Sequence, residues 1–253
     1  MNFRTIGRLK FLLKARHKGG HGIHSPYLFR LITTVIECRF KNPEYEIFER
    51  LHKRALEMLP KNIAVSFAKS YHQTDRSFLT HSRIYNKAEL PGKFGKMVVR
   101  LIHEFRPTAI THFGPALGVN LAAMAIANNS RTVYQMSGDP DFDLFAINLL
   151  LDSEKSNIFF LSENEEPPIH PGLVLINLSD NPAKSRMVVQ HCLDHHADDD
   201  ILILRGIHES VEMEIIWQEL IGNKIARVSI DQFEIGIVLF RKGLQKEDFI
   251  HRF

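Results

Sequence analysis

Pro107-Thr-Ala-Ile-Thr-His-Phe-Gly-Pro-Ala-Leu-Gly-Val-Asn-Leu-Ala-Ala-Met-Ala-Ile-Ala-Asn128 decides the fold. Thr108 to Phe113 is β-branched and apolar, follows a proline and predicts a short buried strand. Gly114 and Gly118 bracket a turn that also holds Pro115. Leu117 to Asn128 has strong helix formers and, after Gly118, no glycine or proline, so a helix follows, and Asn128-Asn129-Ser130 stops it. Strand, glycine turn and helix is how a doubly wound sheet presents a ligand at its carboxyl edge: glycine admits close approach and the helix start offers N–H groups. The alternative is a plain structural turn.

Outward from this stretch, strands and helices alternate. Arg131 to Met136, Asn157 to Leu161, Gly172 to Leu178 and Asp200 to Leu204 read as strands. Asp141 to Leu151, Ala183 to His195 and Val211 to Ile221 read as helices. Ala183 to His195 is expected to turn Met187, Val188, Cys192 and Leu193 inward. Ala226 to Ile230 and Ile235 to Phe240 read as an antiparallel hairpin. Five strands with crossover helices and then the closing hairpin, seven strands in all, predict an α/β fold, a Rossmann-like, mostly parallel sheet with its last strand antiparallel.

The region before Pro107 has another character. Residues 1–96 carry 19 Lys and Arg against 7 Asp and Glu, and the rest of the 253-residue chain carries 13 against 22. The break predicts a helical cap over 1–92 and an α/β domain over 93–253. Met1 to Lys18 holds six basic residues and no acid. Phe3, Ile6, Leu9 and Leu13 recur at helical spacing, and this apolar side is expected to pack on the protein itself; contact with nucleic acid or an anionic membrane is the alternative. Lys18-Gly-Gly-His-Gly-Ile-His-Ser-Pro-Tyr27 is a glycine loop with His21 and His24, followed by a helix capped by Ser25 and Pro26. Pro43 to Leu59 and Lys93 to Phe105 are helices. Ala64 to Asn86 is polar and predicts a further helix with a loop, and Leu90-Pro91-Gly92 marks a boundary. No run approaches the length of a membrane span. The distant Cys38 and Cys192 form no metal spacing, and a reduced cytoplasmic protein is the simplest expectation.

His21-Gly-Ile-His-Ser-Pro26, Phe113-Gly-Pro-Ala-Leu-Gly118 and Asp231-Gln-Phe-Glu-Ile-Gly-Ile-Val-Leu-Phe-Arg241, in this order of elements, resemble the class I S-adenosylmethionine-dependent methyltransferases. The likeness is to the O-methyltransferase-like subgroup with a helical N-terminal extension. It implies S-adenosylmethionine as cofactor, held by Gly114, Pro115, Gly118, Ser137, Asp139 and Asn177. It also implies a small-molecule acceptor, methylated on oxygen with His208 or His24 as base.

The chain departs from that pattern where carboxylates belong. His112 ends strand one, Ser137 follows strand two, Asn177-Leu178 follows strand four and Arg205-Gly206 follows strand five. A carboxylate accepts two ribose hydroxyls at once and offsets the sulfonium and amino charges. Serine accepts more weakly, arginine repels a cation, and a divalent metal gains no oxygen ligand from Arg205. Asp139 or Asp141, and Asp180, are the neighbours that would have to substitute. No metal is therefore expected, and affinity for S-adenosylmethionine is expected to be weak or absent. His191, His195 and His196 have zinc-compatible helical spacing, but with Asp194, Asp198, Asp199 and Asp200 they read as a polar helix end. Glu163, Glu165 and Glu166 read as a solvated loop. Three functions stay open: methyl transfer, a non-catalytic methyltransferase-like protein that binds a ligand or protein partner, and an anionic-surface binder.

Overall fold

The computed structural model describes residues 3–15, 18–39, 42–59, 81–90, 92–127, 132–150, 157–162, 165 and 172–253. In chain order the helices are α1 (Phe3–Lys14), α2 (Pro26–Arg30, continued by a π-helical turn over Leu31–Ile36), α3 (Glu44–Met58), α4 (His81–Ala88), α5 (Gly92–Phe105), α6 (Val119–Ala127), α7 (Pro140–Leu150), α8 (Pro182–Asp194) and α9 (Val211–Gly222). The strands are β1 (Ala109–Phe113), β2 (Thr132–Met136), β3 (Ile158–Phe160), β4 (Gly172–Ile176), β5 (Ile201–Arg205), β6 (Val228–Asp231), β7 (Ile235–Leu239) and β8 (Glu247–Ile250). Residues 64–80 of the expected further helix and loop, together with Pro91, Asn128 to Ser130, Glu163, Glu166 and Pro167-Pro168, lie outside the described residues.

The strands form one eight-stranded sheet in the order β3-β2-β1-β4-β5-β7-β6-β8. β2 with β3 and β4 with β5 are parallel, while β7 runs antiparallel to both β5 and β6. The expected Rossmann-like, mostly parallel sheet and reversed hairpin are therefore present. The expected count of seven strands is corrected to eight. β8 adds to β6 in parallel register, with Val228 opposite Glu247 and Asp231 opposite Ile250. Its sequence, Glu-Asp-Phe-Ile, buries only Phe249. A short charged strand of this kind suits a sheet edge, where charge discourages pairing with other chains, and gives no apolar alternation to read.

The chain divides into two compact units. Unit one comprises Met1–Arg39, Glu104–Ala109 and Pro168–Phe253. Its core is formed by β5, β6 and β7, whose apolar residues are buried, together with Trp217 from α9. Gly236 in β7 has no side chain because the Trp217 ring lies 2.4 Å from where a Cβ would stand. α9 is capped by Ser210, which accepts from Met213 N, and α8 by Asn181, which accepts from Lys184 N. α8 buries Ser185, Val189 and Leu193, not the expected Met187 and Val188; Met187 is exposed. The Ser185 hydroxyl donates to the Leu178 carbonyl, and this bond draws the 185-189-193 face inward.

α1 corrects the expectation for the N-terminus. Its stripe of Phe3, Ile6, Leu9 and Leu13 is exposed, and Phe11 alone is buried. The Phe11 ring lies 5.4 Å from that of Phe233. Gly7 faces the same ring, and Arg4 pairs with Glu234 at 2.6 Å. The seated face is thus set by Gly7, Phe11 and Arg4, about a third of a turn from the apolar stripe.

Unit two comprises Phe40–His103 and Ile110–Pro167. α6 is buried on nearly every side, as its sequence, apolar except for Asn120, requires. α3 packs on it and buries Phe48, Leu51 and Ala55. α7 turns Phe142, Phe145, Ala146 and Leu149 inward.

Candidate functional site

The glycine turn after β1 lies in unit two. Gly118 has φ +102, and a Cβ there would come within 3.3 Å of the Ala146 backbone. Its absent side chain therefore serves the turn and the packing of α7. The N–H groups expected to face a ligand have a partner inside the chain. Glu89, fully buried just after α4, accepts through Oε1 from Leu117 N at 2.8 Å and Val119 N at 3.1 Å. Its Oε2 accepts from Asn120 N at 2.9 Å. Three bonds to a carboxylate at the start of a buried helix are charge-assisted and match the helix dipole. Glu89 is the only acid between Asp75 and Glu104, and that isolation is the one sequence signal that pointed to it. One turn earlier, the Tyr85 hydroxyl is buried, and no partner for it is present among the described residues; the same is true of both polar atoms of the Asn120 side chain. Burial pushes the Tyr85 phenol up, and the charge of Glu89 pushes it further.

At the end of β1, His112 is buried and its Nδ1 lies 2.6 Å from Gln135 Oε1 on β2. Gln135 Nε2 donates to the Gly114 carbonyl, so Gln135 Oε1 is the acceptor and Nδ1 of His112 carries the proton. After β2, the Ser137 hydroxyl donates to the Asp139 carbonyl at 2.8 Å and accepts from Asp139 N at 2.9 Å. Asp139 caps α7, with Oδ1 accepting from Asp141 N at 3.0 Å. The residue expected to replace the missing ribose acid is thus engaged in starting a helix, while Asp141 lies exposed in the first turn.

In unit one, Asn177 follows β4 and is buried. Its Oδ1 accepts from Arg205 Nη1 at 3.0 Å, at the end of β5. Gly206 has φ +72, and a Cβ there would meet Ser179 Cβ at 2.4 Å. Asp180 is exposed. His208 has a carboxylate partner: its Nε2 lies 2.7 Å from Asp231 Oδ2, with both side chains about an eighth exposed. Asp231 Oδ1 accepts from Phe233 N, and the Phe233 ring stacks on the imidazole at 5.2 Å. Phe233 has φ +70, a left-handed conformation that costs a non-glycine residue energy. The His208 imidazole lies between two carboxylates, Asp231 at Nε2 and Glu214 Oε1 3.9 Å from Nδ1. Asp231 was legible only as part of the hairpin motif.

His21 and His24 sit exposed in the loop before α2. That loop is held by Glu37, whose Oε1 accepts from Gly19 N and meets Nε2 of the fully buried His251 at 2.8 Å. The His191 and His195 rings lie 4.4 Å apart, tilted by 33°, and Nδ1 of His195 bonds the His191 carbonyl. Among the described residues, no three His, Cys, Asp or Glu side chains are grouped to hold a metal, and no helix is long and apolar enough to cross a membrane.

Comparison with solved structures defines the class of fold. The chain is similar to the O-methyltransferase TomG of Streptomyces achromogenes in complex with SAM, with TM-score 0.52, 9% identity, and coverage of 71% of this chain and 96% of that one. It is similar to the SAH-bound methyltransferase PaMTH1 of Podospora anserina, with TM-score 0.54, 10% identity, and coverage of 80% and 98%. It is also similar to an O-methyltransferase of Bacillus cereus in complex with SAH, with TM-score 0.51, 10% identity, and coverage of 84% and 97%. The fold is therefore that of class I O-methyltransferases, and at these identities the likeness establishes the fold alone. No protein-family model and no curated protein sequence matches the chain.

Proposed function

We propose that this chain is a non-catalytic methyltransferase-fold protein that binds a ligand or protein partner in place of S-adenosylmethionine. One observation carries the reading: the Glu89 carboxylate already takes the N–H groups of Leu117, Val119 and Asn120. The amino-acid end of S-adenosylmethionine carries a carboxylate of its own. At this helix start it would meet a resident negative charge in place of free donors. The other departures point the same way. Ser137 and Asp139 bond each other and the α7 backbone.

Each lost charge-assisted hydrogen bond costs roughly 1.5 to 3 kcal/mol, or about one to two decades of affinity. Two such losses take a micromolar site to about millimolar. Calorimetric titration of the full chain with S-adenosylmethionine and S-adenosylhomocysteine is expected to give a Kd of about 1 mM or weaker. Micromolar binding would overturn the proposal.

The His208–Asp231 pair favours a second reading, O-methyl transfer to a small acceptor with His208 as base. It requires measurable conversion of S-adenosylmethionine to S-adenosylhomocysteine, abolished in His208→Gln with cofactor binding intact.

A further inference from the structure

We infer that α1 is a peripheral membrane helix that lies on an anionic bilayer surface. The inference rests on which face of α1 is seated and which is left over. Phe11 and Gly7 lie against Phe233, Arg4 pairs with Glu234 at 2.6 Å and Glu209 at 3.6 Å, and Arg8 lies 6.0 Å over the Phe233 ring. These contacts fix the roll of the helix. The opposite face carries Ile6, Leu9, Leu12 and Leu13, all exposed, with Leu13 at 81%. At about 100° per residue, Leu12, Leu9, Leu13 and Ile6 spread around roughly a third of the circumference, with Thr5 between Leu12 and Leu9. Lys10 borders this stripe on the Ile6 side, with Phe3 and then Lys14 beyond it towards Gly7, and Arg8 lies beside Leu12. No acid occurs anywhere in α1.

An aliphatic stripe edged on both sides by cations fits a bilayer: the aliphatic groups enter the acyl boundary and the cations meet anionic headgroups. Nucleic acid fits less well, because the centre of the face holds neither cations nor aromatic rings for stacking. A second copy of α1 fits less well too, since its cationic borders would meet their like. A helix of 12 residues is about 18 Å long, which suits lying on the surface and is too short to span.

Flotation of the full chain with vesicles tests this. Binding is expected to an equimolar phosphatidylcholine–phosphatidylglycerol mixture and not to phosphatidylcholine alone, and it should fall when salt is raised to about 0.5 M. The double variant Leu9→Ser/Leu13→Ser is expected to lose roughly tenfold or more in vesicle affinity. Lys10→Glu/Lys14→Glu should lose binding to the anionic vesicles. Circular dichroism of both variants checks that they are folded, and a variant that unfolds is replaced by Leu13→Ser alone, with a smaller loss expected. Absence of binding to anionic vesicles overturns the inference, as does undiminished binding of folded Leu9→Ser/Leu13→Ser. So does a lipid-free dimer of the parent chain that the same variant converts to monomer, because the stripe would then serve self-association.

Discussion

The ends of β1 and β5 meet one need, a partner for polar groups at the carboxyl end of a strand, with opposite charges. After β1 a buried carboxylate, Glu89, receives three backbone N–H groups. After β5 a guanidinium, Arg205, donates to the amide of Asn177. Glu89 is inaccessible and comes from the chain just after α4, about thirty residues away, whereas Arg205 is half-buried and bonds the residue that follows the adjacent strand β4. The first arrangement is therefore part of the core, and removing it disturbs the unit. The second is open to exchange, because a half-buried donor can return to water. Retention of a fold and retention of its ligand chemistry are thus separable, residue by residue.

The largest expected effect tests the first half of that contrast. Glu89→Ala leaves three buried N–H groups without their acceptor and should cost about 3–5 kcal/mol in urea unfolding, with Glu89→Gln costing roughly half as much. A loss under about 1 kcal/mol would mean that water replaces the carboxylate and that the turn is open to an outside ligand.

The counterpart in unit one is Gly206→Ala. A side chain there meets Ser179 Cβ at 2.4 Å and Glu209 Oε2 at 2.7 Å, in a backbone conformation with φ +72. A loss of about 2–4 kcal/mol is expected from the same measurement. A near-neutral result would show that the loop after β5 can move, and would sharpen the distinction between a fixed β1 turn and a yielding β5 end.

The smallest effect depends on pH. Burial pushes the Asp143 carboxyl up; the neighbouring Ser137 hydroxyl opposes this, and the charge of Asp139 adds to it. A carboxyl whose folded value is raised contributes fully below its unfolded value and loses that contribution as pH rises through the folded value. Asp143→Asn should therefore raise Tm at pH 7 by a small margin, and the gain should vanish below about pH 4. A gain of equal size at both pH values would assign the effect to packing.

Much of the fold was legible because the signals are local. β1 follows a proline and leads into a glycine turn, α6 is unbroken, and the hairpin places Gly236 under Trp217. β8 was missed because its one buried residue, Phe249, leaves no period. The sequence points to the wrong face of α1 because the apolar stripe dominates the pattern, while the seated face is set by contacts of Phe11 with Phe233 and Arg4 with Glu234, both distant in sequence. The absence of acids at His112, Ser137, Asn177 and Arg205 was legible at the site, but their pairings were not. Gln135 reaches His112 from β2, Arg205 reaches Asn177 from β5, and Glu89 reaches α6 across about thirty residues of sequence. Contacts of that span are set by the assembled sheet, and spacing alone does not reveal them.

Glu89 also has a consequence in time. The first amides of α6 cannot be sheltered by their own helix, because the opening turn of any helix lacks internal acceptors. They become protected only when the chain around Glu89 arrives from elsewhere in the sequence. Their hydrogen exchange therefore reports the departure of Glu89, an event separate from the melting of α6, and the start of the most buried helix keeps the clock of a segment outside it.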